Sequence, residues 1–126
     1  MIRTLCLAAL LFVAAPALLA AQKKEFCPEG RTQLDMTYCA GEELARADSM
    51  LNANYQRLVR TLEPHRVQAL REAQRAWIRF RDAECAFQES AVTGGSMAPM
   101  VHALCEAELS TERAKEFARL LSPDDG

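Results

Sequence analysis

EELARADSMLNANYQRLVRTLEPHRVQALREAQRAWIRFRDAECAFQESAVT, residues 42–93, contains a single helix breaker, Pro64. Ala, Leu, Glu, Arg and Gln dominate it, and beyond residue 21 the whole chain has only five Val or Ile residues, at 59, 67, 78, 92 and 101. This is the composition of helices rather than strands. Leu44, Leu51, Tyr55, Leu58 and Leu62 recur at 100° per residue within one narrow arc, which predicts a long helix from about Leu34 to Leu62, loosened near Gly41. Thr32, with Asp35 three residues on, suits its N-cap. Pro64 opens a second helix, as proline does at a first turn, and Leu70, Ala73, Trp77, Phe80 and Phe87 share one face until about Ser90.

Outward from this pair, VTGGSMAP (92–99) reads as a loop, 100–109 as a third helix, and Ser110 or Thr111 as the cap of a last one ending at Leu121. The expectation is an all-α fold: an antiparallel long-helix hairpin with one or two shorter C-terminal helices, stapled by disulfides. In the other direction, Met1–Ala21 reads as a secretory signal peptide. Arg3 is followed by an apolar run from Leu5 to Leu19 and by the small residues Ala20 and Ala21. Residues 22–126 then form a single helical domain with its core in 27–121, too short for two domains.

Setting the signal aside changes the composition. The net charge moves from −2 to −3 as Arg3 leaves, and five cysteines become four as Cys6 leaves. Four cysteines in a small exported chain predict two disulfides among Cys27, Cys39, Cys85 and Cys105. Three connectivities exist; the short spacings favour Cys27–Cys39 and Cys85–Cys105. No Cys-x-x-Cys occurs and His65 lies far from His102, so no metal site is expected. No second apolar segment is long enough to cross a bilayer, which predicts no membrane association after signal cleavage. The mild acidity lacks the basic footprint of a nucleic-acid binder. No Ser-His-Asp or Cys-His pattern and no phosphate-binding Gly loop is visible, so neither enzymatic activity nor a cofactor is expected.

A polar stripe runs beside the apolar faces. Asp48, Asn52 and Tyr55 share an edge of the first helix, and Gln74, Arg81, Cys85 and Gln88 an edge of the second. In a hairpin turning near Glu63–Pro64, Asp48 falls level with Arg81 and Asn52 with Gln74, predicting an ion pair and an amide contact. Two readings stay open: polar pairs that fix helix register, or a groove that grips a ligand. Trp77 is open in the same way, as core or as a binding anchor, with the core reading preferred. Arg66, Arg71, Arg75 and Arg79 lie largely off the apolar face and read as a solvated surface. The acids weight toward the C-terminal half, from Glu84 to Asp125.

CAGEELARADSMLNANYQRL (39–58), LREAQRAWIRFRDAEC (70–85), the GGS loop (94–96) and LCEAELSTERAKEFARLL (104–121) together resemble the LprI-type lysozyme-inhibitor-like family of small exported bacterial domains. Cys39, Asp48, Leu51, Asn52, Tyr55, Leu70, Gln74, Trp77, Arg81, Cys85, Cys105, Thr111 and Arg113 carry the likeness, which spans about 27–121. The resemblance implies a periplasmic or secreted helical protein that blocks a lysozyme by protein–protein binding. The alternative is an envelope binding or adaptor module with another protein partner. Neither Cys6 nor Cys27 sits in a lipid-attachment pattern, and the GGS loop, whose glycines permit unusual backbone shapes, reads as a plain helix connection first and as the candidate protrusion second.

Overall fold

The structure, a computed structural model, describes residues 32–122. The segment 1–21 that reads as a signal peptide, Cys27 with its expected bond to Cys39, and the acidic residues 124 and 125 lie outside them. Three helices account for nearly all of the described chain: α1 (Gln33–Thr61), α2 (Pro64–Ser90) and α3 (Ala98–Leu121). The fold is all-α.

Local chemistry sets the boundaries. Thr32 caps α1 through a complete capping box, in which its hydroxyl accepts from the Asp35 amide at 3.1 Å and the Asp35 carboxylate accepts from the Thr32 amide at 3.2 Å. Proline occupies the first turn of both α2 and α3, where its missing N–H leaves no bond unmade. Gly94, at φ +79°, turns the chain between these helices in a conformation that a Cβ would strain.

The C-terminal region departs from the sequence reading. α3 starts at Ala98, two residues before the expected Met100, and runs unbroken through Ser110 and Thr111 to Leu121. Ser110 is no cap: it is fully buried in mid-helix, and its hydroxyl donates to Asp48 Oδ1 at 2.8 Å. A polar partner on α1 satisfies the side chain that would otherwise favour a helix start.

The packing also differs from a simple hairpin. Contacts pair Gln33 with Met100, Asn54 with the Ala114 carbonyl and Tyr55 with Phe117, so α1 and α3 run parallel. They form the principal helix pair, and α2 lies antiparallel to both, packing mainly on α3 rather than on α1. The core sits in the α1–α3 seam, where Leu51 and Leu58 meet Ala114 and Phe117, with Tyr55, Leu62, Leu70, Trp77 and Leu121 packed against them. Buried Ala40 and Ala47 on α1 and Ala107 and Ala114 on α3 are small residues that permit a close axial approach.

α2 buries one residue, Cys85. Phe80 and Phe87, expected on the core face, are 54% and 72% exposed, and Ala73 is exposed too. The reason is the width of the helix face that α3 covers: Leu70, Trp77, Arg81 and Cys85 fill it, and Phe80 and Phe87 lie beyond its edge. The Cys85–Cys105 disulfide, with Cα atoms 5.5 Å apart, ties α2 to α3. Cys39 is also disulfide-bonded.

Candidate functional site

The up-down-up order brings together the N-termini of α1 and α3 and the C-terminus of α2. This gathering changes the meaning of the charge pattern. Segments 33–48, 82–90 and 98–110 meet at one end of the bundle and carry nine acidic residues against one basic residue, Arg46. Segments 49–81 and 111–121 form the other end, with ten basic residues against four acidic ones. The described residues therefore carry opposite net charge at the two ends of the bundle, and part of the C-terminal weighting of acids, Glu84, Glu89, Glu106 and Glu108, falls at the acidic end.

At the boundary between the two ends, Arg81 connects all three helices. Its Nη1 donates to Asp48 Oδ1 on α1 at 3.3 Å and to Ser110 Oγ on α3 at 3.2 Å. Its Nη2 lies 3.0 Å from Asp82 Oδ1 and 3.6 Å from Glu106 Oε1. The Arg81 side chain is only 15% exposed and Glu106 16%, whereas Asp48 and Asp82 stay 40% and 54% exposed, so one guanidinium offsets acids brought together by folding while water still reaches two of them. Toward the acidic tip, His102 continues the network: Nδ1 is 2.7 Å from Glu89 Oε2 and Nε2 is 3.5 Å from Glu106 Oε1. The loop 91–97 covers that tip, held by Val92 N–H to Glu89 O at 2.9 Å and Gly95 N–H to Val92 O at 3.0 Å.

Asp48 and Arg81 thus meet. Asn52 and Gln74 do not: they face each other across an open groove lined also by Tyr55, Gln56, Arg71, Arg75 and Ile78. Arg113 takes the Gln74 amide oxygen instead, donating from Nε at 3.2 Å, because α3 lies between the long helices at that level. The Tyr55 ring packs on Phe117 with centroids 6.0 Å apart. Trp77 is half-buried against the core, and the guanidinium carbons of Arg81 and Arg113 lie 5.5 and 5.9 Å from the centre of its ring. The contacts of Ser110, Glu106, His102 and Arg113 escaped the sequence reading, which took Ser110 as a cap and Arg113 only as part of the family likeness. The first three stand at i, i+4 and i+8, and Arg113 shares their face, a polar stripe visible only when α3 is read as one helix.

At the basic end, the Glu112 carboxyl is held below the usual carboxylate range by a 2.7 Å hydrogen bond from the Lys115 ammonium and by its charge. An open apolar groove of about 480 Å³ lies between the end of α1 and the start of α2, lined by Leu58, Leu62, Leu70 and Leu120. Among the described residues, no group of three His, Cys, Asp or Glu side chains is placed to hold a metal ion, and no helix is long and apolar enough to cross a membrane.

Residues 27–117 match the family model described as lysozyme inhibitor LprI. A protein of Rhizobium meliloti (strain 1021), described as uncharacterized, is 34% identical, and the match covers 91% of each chain. No solved structure matches. The family match, as long as the described fold, decides the placement: this chain belongs to the LprI lysozyme-inhibitor family.

Proposed function

We propose that the chain is exported and inhibits a lysozyme by protein–protein binding, using its acidic end and the loop 91–97. Membership of the LprI family carries the reading. The charge dipole supplies the physics. Animal lysozymes are strongly basic, and their cleft holds two catalytic carboxylates. An end with nine acids to one base steers such a partner and fixes its orientation, and its field is felt within about 10 Å at moderate salt. The basic end repels the same enzyme, so one pole is favoured. The loop, with exposed Met97 and with Gly94 at a positive φ, is the feature at that pole able to enter a cleft.

The signal-like segment 1–21 and the disulfide chemistry of Cys39, Cys85 and Cys105 support export to an oxidising compartment, since such bonds persist there. The polar cluster around Arg81 is proposed to be structural: it sets the register of three helices. Titration of purified protein against chicken-type and goose-type lysozymes in a cell-wall clearing assay tests the proposal. Dose-dependent loss of clearing is expected. Undiminished clearing at high micromolar excess overturns inhibition and favours an adaptor role in the envelope.

A further inference from the structure

α2 carries a second apolar face that nothing in the described fold covers. Ala69, Ala73, Ala76, Phe80, Ala83 and Phe87 recur at alternating steps of four and three residues, and all six are exposed. This is the spacing of a coiled-coil seam. It lies about 120° around the helix from the Trp77–Cys85 face and extends about 27 Å along the axis. Two of its members are large: Phe80 at 54% and Phe87 at 72% exposure.

The charges beside the seam identify its occupant. Arg66 and Glu84 flank one side, and Glu72 and Arg79 flank the other. In an antiparallel pairing of two α2 helices, each side meets its own counterpart, as a two-fold interface requires. Arg66 then meets the partner's Glu84 and Glu72 meets the partner's Arg79, both pairs centred within half a residue of position 75. About that same centre, Ala73 faces the partner's Ala76 and Ala69 faces the partner's Phe80, so the bulky ring meets the smallest side chain. Arg66 and Arg79 form no ion pair among the described residues.

We infer that this face of α2 binds a second copy of the chain in an antiparallel, two-fold dimer centred near Arg75. The inference stands apart from the inhibitor reading. Its interface uses the exposed side of α2, whose start (Arg66, Ala69 and Ala73) also lines the open groove beside Leu58, Leu62 and Leu120, and leaves the loop 91–97 at both extremities of the pair.

Sedimentation of the purified chain at rising concentration, up to about 1 mM, tests it. A dimer is expected, and Phe80→Glu abolishes it. Arg66→Glu and Glu84→Arg each weaken association about tenfold, and the double reversal restores it. Within one helix these residues are about 27 Å apart and never touch, so rescue reports contact between copies. A chain monomeric throughout, a dimer indifferent to Phe80→Glu, or a double reversal no better than either single change overturns the inference.

Discussion

The α1–α3 seam and helix α2 are built from stretches of similar length and composition, yet they are held in place by different forces. The seam is a parallel pair closed by Leu51, Leu58, Ala114 and Phe117, with small residues on both helices allowing close packing. α2 contributes one buried residue and depends on a disulfide, the half-buried Trp77 and the reach of Arg81. The first region is stabilised chiefly by apolar burial, which charge screening at moderate ionic strength does not weaken. The second is stabilised by a covalent link and by charge, and both respond to the surroundings.

The sharpest way to break the contrast is at Phe117, which is 1% exposed. Phe117→Ala should cost about 3–5 kcal/mol and lower the thermal midpoint, read by circular dichroism, by more than 10 °C. Reduction of Cys85–Cys105 comes next. About 3 kcal/mol of loop-closure stabilisation is lost, and limited proteolysis should cut α2 well before α1 or α3. Arg81→Ala follows at about 1–2 kcal/mol, because Asp48 keeps the Ser110 hydroxyl and is 40% exposed to water. An unchanged melt for that variant would show that the three-helix cluster does not fix register. The smallest effect belongs to Phe87→Ser, within about 0.5 kcal/mol at low micromolar concentration, since the ring lies outside the monomer's packing.

The same contrast explains what was legible in the sequence. α1 and α2 were found almost to the residue, because Thr32 and Pro64 act locally and the leucine period is strong. α3 was broken in two because Ser110 and Thr111 carry the local signature of a cap, and only a distant carboxylate, Asp48, explains a buried serine. Periodicity placed Phe80 and Phe87 on the Trp77 face because an arc wide enough to include both faces looks like one. Which part of that arc is buried depends on α3, whose position between the long helices no local pattern reveals. For that reason the Asp48–Arg81 level was readable from the turn, whereas the partner of Gln74 was not. The charge dipole was hidden for a related reason: its acids come from three separate segments that meet only through the up-down-up order.

The most direct measurement compares lysozyme inhibition by the native chain with two neutralised forms. One removes charge from the acidic end through Glu42→Gln, Glu43→Gln and Glu108→Gln, all exposed positions; the other removes it from the basic end through Arg71→Gln and Arg75→Gln. We expect the first to weaken inhibition at least tenfold, more at low salt than at high, and the second to leave it unchanged. Inhibition that is equally strong in all three forms, or that falls only when the basic end is neutralised, would contradict an acidic pole as the lysozyme-binding surface.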